Sequence, residues 1–172
     1  YSVFIGLPIL ALLIKALGMD DIIATLRSDI VISALRLSIF TSINSMILVI
    51  LIGTPLGYLL ARKNFPGLWL IDSMIELPIL LPPVVAGLAM LMAFGRNGLI
   101  GHWLVGLDIN ISFSTAAVIF AQIFVSAPFY IRSAKLGFKG VDRTYEELSY
   151  TLGKSPWVTF WKISIPLAMP SL

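Results

Sequence analysis

Three long runs without a charged residue constrain this chain more than any other feature. The runs are Leu37–Ala61, Leu77–Gly95 and Ile109–Ile131, with 25, 19 and 23 residues. A helix needs about 20 predominantly apolar residues to cross the hydrocarbon core of a bilayer. The sequence therefore predicts an all-α integral membrane protein in which each run forms a transmembrane helix.

A fourth apolar run, Tyr1–Ile14, has 14 residues, a length that suits an interfacial segment or a signal-peptide core. It has neither a basic leader nor a small-residue cleavage site. We interpret it as the remainder of a first span and expect the chain to be truncated at both ends. Residues 1–172 are then one transmembrane domain, with spans at about residues 1–15, 33–61, 74–95 and 110–131.

The composition agrees with this class. Hydrophobic residues make up 58% of the chain and charged residues 12%, which is more apolar than the core of a soluble protein of 172 residues requires. The absence of cysteine and the single histidine exclude a thiolate metal site, a disulfide and a histidine cluster. We expect no cofactor, no metal, no catalytic residue and no nucleic-acid partner.

Basic residues are distributed unequally between the two sides of the predicted spans. Eight lie on one side: Arg62, Lys63, Arg132, Lys135, Lys139, Arg143, Lys154 and Lys162. Four lie on the other side: Lys15, Arg27, Arg36 and Arg96. By the positive-inside rule, this excess predicts that the turn at residues 62–67 and the loop at residues 132–162 are cytoplasmic.

The third predicted span begins with three prolines in six residues, Pro78, Pro82 and Pro83, followed by Gly87. Such a segment is incompatible with a straight helix, because each proline removes a backbone hydrogen bond. In hydrocarbon, a broken helix persists only where it is buried in protein or lines a watery cavity. Two interpretations stay open: a translocation path or gate, and a static kink packed against a neighbour.

Two further features of the spans favour helix packing. Residues 53–57, Gly-Thr-Pro-Leu-Gly, combine small residues with a proline, and we favour close helix contact over a moving hinge. Gln122 lies in the middle of the fourth span, where a hydrogen bond between helices is a better explanation than contact with a substrate.

Asp72 and Glu76 are four residues apart at the start of the third span and therefore share a helical face. Carboxylates within a membrane are functional candidates. Near the interface, snorkelling or pairing with a basic residue such as Arg62 or Lys63 is the better explanation.

The loop after the fourth span has the signals of a helical hairpin within residues 139–166. Thr144 and Glu147 have the spacing of a capping box, which predicts a helix that begins near Tyr145. Gly153 is expected to end this helix. Ser155–Pro156 then supplies a capping hydroxyl and a proline for the start of a second helix.

Both helices of this hairpin have an apolar face at helical spacing. The first face contains Tyr145, Leu148, Ser149 and Leu152, and the second contains Trp157, Phe160 and Trp161. On these residues alone, a hairpin that lies passively on the membrane and one that docks in a groove of a partner are equally good interpretations.

The hairpin also carries a recognisable pattern. Its residues Glu147, Leu148, Ser149, Gly153, Ile163 and Pro166 resemble E-A-A, three residues, G, nine residues, I-x-L-P. Permease subunits of type I ABC importers contact their ATPase through this loop. Leu148 and Ser149 stand where the family has two alanines, a departure that bears on how closely the ATPase approaches.

Two more segments narrow the resemblance. Residues 77–87 resemble the L-P-x-x-L-P-P-x-V-x-G stretch of molybdate and sulfate permeases. Residues 95–101 resemble the G-R-x-G-x-I-G that follows it in molybdate permeases. Together, the three patterns make the chain most similar to the molybdate ABC transporter permeases.

This resemblance implies a type I ABC importer transmembrane domain with six spans in the full protein, in the bacterial inner membrane. It implies a homodimer with a central path for molybdate or tungstate, a cytoplasmic ATP-binding subunit and an extracytoplasmic substrate-binding protein. Pro78, Pro82, Pro83 and Gly87 would then line the path or gate. The chain lacks a G-x-x-x-x-G-K-[ST] phosphate loop, so a partner would hydrolyse ATP and the chain itself is not expected to be an enzyme.

Three alternatives remain. A sulfate or thiosulfate ABC permease would carry a similar tetrahedral dianion. A secondary transporter or channel would need no ATPase, but should show internal repeats or midplane carboxylates. A membrane-embedded enzyme is disfavoured by the lack of cysteine and of clustered histidines.

Overall fold

The computed structural model describes residues 28–64, 66–105 and 113–171, and five helical positions between residues 6 and 14. Most of the predicted first span, residues 1–15, lies outside the described residues, as do residues 110–112 of the fourth. The chain divides into two compact units, Tyr1–Phe40 and Thr41–Leu172. In the first unit, the Ser28 hydroxyl accepts a hydrogen bond from the backbone N–H of Val31, at the start of a long helix.

Every regular element in the described part of the chain is helical, which confirms the all-α prediction there. The helices are α1 (Asp29–Arg62), α2 (Leu68–Leu80), α3 (Pro83–Phe94), α4 (Gly101–Val105), α5 (Thr115–Gly140), α6 (Arg143–Thr151), α7 (Pro156–Thr159) and α8 (Ile165–Ala168). A π-helical turn, Phe160–Ser164, joins α7 to α8, and a 3-10 turn, Met169–Ser171, follows α8. Of these helices, α1 and α5 are each long and apolar enough to cross a membrane.

The predicted span at residues 74–95 is divided into α2 and α3, which are bent by 115° relative to each other. The break lies at Leu81 and Pro82, whose extended ψ angles of 129° and 141° are those expected for residues that precede a proline. Pro78 lies inside α2 and Pro83 is the first residue of α3. The predicted interruption is confirmed. Helices α2 and α3 count as a third membrane span only if together they cross the membrane once.

Helices α1 and α5 pack closely at the two glycines of residues 53–57. A Cβ atom added at Gly57 would lie 2.7 Å from the Cβ of Ala134, and one added at Gly53 would lie 2.7 Å from the Tyr130 ring. Pro55 lies inside α1 without ending it. The interpretation of this segment as a site of close helix packing is therefore confirmed.

Polar side chains add hydrogen bonds between the same two helices. The Gln122 side chain accepts from the Ser45 hydroxyl at 2.9 Å and donates to Thr41 Oγ1 at 3.3 Å. Nearer the other end, the hydroxyls of Thr54 and Tyr130 lie 2.7 Å apart. Gln122 thus links two helices, as we predicted from its position.

Most of the apolar surface of α1 and α5 is not covered within the described part of the chain. Large side chains such as Met46, Ile52 and Phe129 are more than half exposed. In water, an apolar surface of this extent would be unfavourable, whereas hydrocarbon or neighbouring helices accommodate it. The exposure is that expected of helices in a membrane.

The contact at Gly57 generates a stability prediction. In the full-length protein, Gly57→Ala should lower the free energy of unfolding in detergent by about 1–3 kcal/mol, because the added methyl overpacks against Ala134. The matched control is Gly140→Ala, at the end of α5, where an added Cβ meets nothing within 4 Å. Its effect should stay within about 0.5 kcal/mol. Equal effects of the two substitutions would contradict the close contact.

Candidate functional site

The first helix of the hairpin, α6, begins with a cap on Asp142. Its carboxylate accepts from the backbone N–H of Thr144 at 3.0 Å and from the Thr144 hydroxyl at 2.8 Å. These two hydrogen bonds, the backbone one foremost, hold the pKa of the Asp142 carboxyl below its usual value. The predicted capping box of Thr144 and Glu147 is wrong, because Thr144 already lies inside a helix that begins at Arg143. The missed signal was Asp142 itself, since aspartate is a preferred N-cap residue.

The end of α6 is as predicted. Gly153 has a φ angle of +74°, in the left-handed region that favours glycine. The N–H of Gly153 donates to the carbonyl of Tyr150, and the N–H of Lys154 donates to the carbonyl of Ser149. These two bonds form a Schellman motif, which satisfies the last carbonyls of the helix and reverses the chain.

The return arm begins at Ser155 and contains an irregular turn. The Ser155 hydroxyl accepts from the backbone N–H of Val158, and Pro156 is the first helical residue, which confirms the predicted restart. The following turn, Phe160–Ser164, is π-helical. Such turns widen a helix locally and are frequent at functional positions.

A buried carboxylate, Glu146, joins this hairpin to α1. Its Oε1 accepts from Arg62 Nε at 3.0 Å and from the Ser164 hydroxyl at 2.8 Å. The Tyr58 hydroxyl donates to its Oε2 at 3.4 Å. The side chains of Arg62 and Glu146 are only 10% and 8% exposed, so the ion pair is largely screened from water.

Backbone contacts reinforce this junction. The Arg62 guanidinium donates to the carbonyl of Val141, just after the end of α5. In return, the guanidinium of Arg143 donates to the carbonyl of Arg62, in the last turn of α1. Arg62, the last residue of α1, is therefore hydrogen-bonded to Val141, Arg143 and Glu146.

Aromatic rings surround the junction on its apolar side. Phe138 of α5 is fully buried, and Phe160 of the π-helical turn is 7% exposed. The Tyr58 ring packs edge-on against both, with centroid distances of 5.3 Å and 4.8 Å. Ala134, Val141 and Ala168 complete this core. The hairpin, the end of α1 and the end of α5 thus share one hydrophobic core.

The residues predicted from the loop pattern divide into two groups. Leu148, Ser149, Ile163 and Pro166 line one surface groove of about 500 Å³. Glu147 and Gly153 are exposed and do not line it. Tyr145, Leu152, Lys154, Lys162 and Leu167 complete the lining.

The apolar faces predicted for the two arms are each split between surface and interior. Tyr145, Leu148 and Leu152 are 54%, 55% and 77% exposed, whereas Ser149 is buried and shares a hydrogen bond of 2.8 Å with the Thr159 hydroxyl. On the return arm, Phe160 points into the core while Trp157 and Trp161 stay exposed.

The proline segment is separate from this groove. Pro82, Pro83 and Gly87 are exposed, and a Cβ added at Gly87 would meet nothing within 4 Å. Asp72 of α2 forms an ion pair with Lys135 of α5. The prediction that Asp72 pairs with a basic residue is confirmed, but the suggested partners Arg62 and Lys63 are wrong, because Arg62 is held by Glu146 and α2 packs beside α5.

Sequence reasoning missed Arg62 and Glu146 as a functional pair. No sequence signal pointed to the pair, because the burial of Glu146 and Ser149 on one face of α6 is evident only in the structure. Across residues 28–64, 66–105 and 113–171, no three His, Cys, Asp or Glu side chains come together as metal ligands would. The arrangement combines an exposed groove with a buried ion pair that holds the hairpin to α1.

Comparisons with known proteins identify the family of the chain. The profile of the family described as "Binding-protein-dependent transport system inner membrane component" matches residues 53–172. The chain is 38% identical over 170 residues to the molybdenum transport system permease protein ModB of Mycobacterium tuberculosis, covering 99% of this chain and 64% of that protein. It is 39% identical over 171 residues to the molybdate/tungstate transport system permease protein WtpB of Pyrococcus abyssi, with the same coverage of 99% and 64%.

A relative described for another anion is also similar. The probable sulfate transport system permease protein cysT of Marchantia polymorpha is 35% identical over 175 residues, covering 100% of this chain and 61% of that protein. The chain thus spans a little less than two thirds of the length of these curated relatives.

The buried ion pair generates the second prediction. Glu146→Ala should lower the free energy of unfolding of the full-length protein by about 3–5 kcal/mol, because it leaves the Arg62 guanidinium buried without a counter-charge. Its neighbour supplies the control: Glu147 is exposed, and Glu147→Ala should cost no more than about 0.5 kcal/mol. Chemical denaturation in detergent measures both. A Glu146→Ala variant as stable as Glu147→Ala would contradict the role of the pair.

Proposed function

The chain belongs to the binding-protein-dependent transport system inner membrane component family, and from this premise we propose that it acts in the permease subunit of an ATP-driven importer of oxyanions, with molybdate or tungstate as substrate. The observation that carries the proposal is the hairpin, which combines an exposed apolar groove with a buried ion pair to α1. The two span-length helices and the family description agree with a location in the inner membrane. ATP hydrolysis is assigned to a separate subunit.

The groove is the proposed contact for this ATP-binding subunit. Leu148 and Leu152 expose large apolar side chains on a helix that lies beyond the end of the span-length α5. Exposed apolar patches with a polar rim are typical of protein interaction sites, and here Lys154 and Lys162 supply the rim. The excess of basic residues on this side supports a cytoplasmic position, where the ATP-binding subunit would be.

The buried junction would convert docking into movement of the membrane helices. A contact made by Glu146, Arg62 and Ser164 inside an aromatic core cannot deform gradually, because packed interiors rearrange as units. A push on the hairpin would therefore displace the ends of α1 and α5 together. We assign the hairpin the role of transmitting movement of the ATP-binding subunit to α1 and α5.

The break between α2 and α3 is the proposed wall of the translocation path. Pro83 has no N–H group to donate to the carbonyl of Ile79, whereas the Pro78 carbonyl accepts from the N–H of Leu81. In a membrane, a carbonyl that has lost its helical partner must face protein or water. A path between two permease copies would meet this requirement, and a substrate-binding protein on the far side would deliver the anion.

Sulfate is the second candidate substrate, supported by the similarity to the Marchantia polymorpha relative. Sulfate, molybdate and tungstate are all tetrahedral dianions, so a permease path alone discriminates poorly between them. The relatives named for molybdenum or for molybdate/tungstate are 35–39% identical, against 35% for the sulfate relative. Molybdate or tungstate stays our first choice because of the upper end of this range and the pattern at residues 95–101.

A docking test follows from the groove. Leu148→Asp should abolish copurification of the ATP-binding subunit with the full-length permease, because a charge replaces an apolar contact in the proposed interface. Leu99→Asp is the matched control: Leu99 is 85% exposed in the segment between α3 and α4. It should leave copurification unchanged. Retention of the ATP-binding subunit by Leu148→Asp, with both variants equally abundant in the membrane, would rule out the groove as the docking site.

A substrate test addresses the anion. The full-length permease, reconstituted with its ATP-binding and substrate-binding proteins, should take up molybdate and tungstate only when ATP is present. Sulfate at the same concentration should be taken up more slowly. ATP-driven uptake of sulfate without uptake of molybdate would reverse the substrate assignment, and uptake that is independent of ATP would contradict the importer itself.

A further inference from the structure

A second ion pair lies where the broken segment meets α5. Asp72, in the first half of α2, accepts a hydrogen bond from Lys135 Nζ of α5. Unlike the Glu146 pair, its side chains are 29% and 19% exposed. Partly exposed ion pairs contribute little to stability, because water competes for both charges. The stability of the fold therefore depends little on this contact.

The two sides of this contact differ in how firmly they are held. Lys135 follows Ala134, which is fully buried and packs against Gly57 of α1. It also lies three residues before Phe138, in the core shared with the hairpin. On the other side, no residue of α2, Leu68–Leu80, is buried. Lys135 thus belongs to the tightly packed part of the unit, whereas Asp72 belongs to an arm held at its surface.

Asp72 lies on the same helix as the break between α2 and α3, so its position affects the position of the break. Leu81 follows Asp72 by nine positions, which corresponds to about 13 Å along a helix. Pro78 removes one hydrogen bond near the end of α2, but the helix continues unbroken to Leu80, so a shift at Asp72 still displaces its end. Movement at Asp72 would therefore reach Leu81 and Pro82, where the chain bends by 115°.

We propose that Asp72 and Lys135 are positioning residues that tie the broken segment α2–α3 to the body formed by α1, α5 and the hairpin, and that this tie makes the proposed gate follow the hairpin. The inference rests on the proposed function. The Glu146 contact holds α1, α5 and the hairpin together. The more exposed contact between Asp72 and Lys135 connects α2–α3 to them, so that α2–α3 moves when they move. Without the pair, the hairpin would still move when the ATP-binding subunit binds nucleotide, but α2–α3 would no longer move with it.

The test compares ATP hydrolysis and anion uptake in the same preparation. The full-length permease is reconstituted in liposomes with its ATP-binding and substrate-binding proteins, and molybdate, tungstate and sulfate are supplied separately. Asp72→Asn and Lys135→Gln should each lower the uptake per ATP hydrolysed by at least about fivefold, the lower end of typical coupling strengths. Copurification of the ATP-binding subunit and the thermal midpoint of the complex should remain those of the wild type.

Two further variants separate a positioning role from a structural one. Asp72→Lys combined with Lys135→Asp restores opposite charges and should recover the uptake per ATP hydrolysed. Glu76→Gln is the matched control, because Glu76 is an exposed carboxylate one turn further along α2. It should keep the wild-type ratio.

The possible outcomes are distinct. An unchanged ratio in Asp72→Asn overturns the inference. A proportional fall of hydrolysis and uptake, together with a lower thermal midpoint, also overturns it and assigns the pair to stability alone. Failure of the wild-type complex to take up any of the three anions with ATP refutes the proposed function, and the inference falls with it.

Discussion

The side chain of Glu146 accepts hydrogen bonds from α1 and from the π-helical turn at the same time, in surroundings that exclude most water. Breaking such a contact leaves a buried charge without a partner, so the free-energy cost greatly exceeds that of an exposed pair. The contact also fixes the orientation of α6, because the carboxylate is bonded on both oxygens. The positions of the groove, the hairpin core and the end of α1 all depend on it.

Local caps prepare the hairpin for this contact. Asp142 starts α6 and Gly153 ends it, so the helix is long enough to bury Glu146 and Ser149 on one face while Leu148 stays exposed on another. The result is an exposed groove on a helix that is bonded to α1 through Glu146. In the function we propose, this combination is required, since a flexible loop would absorb the movement of an ATPase instead of transmitting it to the membrane helices.

Sequence reasoning predicted the elements that depend on local chemistry. The charge-free runs predicted α1 and α5, and the prolines predicted an interruption that the structure has at Leu81 and Pro82. Gly153 and Ser155–Pro156 are confirmed, whereas the cap at Thr144 was wrong because two adequate caps stand two residues apart. Contacts between distant residues escaped prediction: Glu146 and Arg62 are 84 positions apart, and no local pattern selects one basic residue among twelve. The roles of the groove and of the proline segment stay predictions.

The central claim is that the hairpin and α1 move as one body when nucleotide binds. Spin labels on Lys63→Cys and Thr151→Cys measure it, because both positions are exposed and neither lines the groove. Any native cysteine elsewhere in the full-length complex is replaced first. Pulsed electron paramagnetic resonance on the full-length complex gives the distance between the labels with and without trapped nucleotide. The account predicts the same distance distribution in both states. A shift of about 5 Å or more, one helical turn, would show that the hairpin moves independently of α1 and would contradict the account.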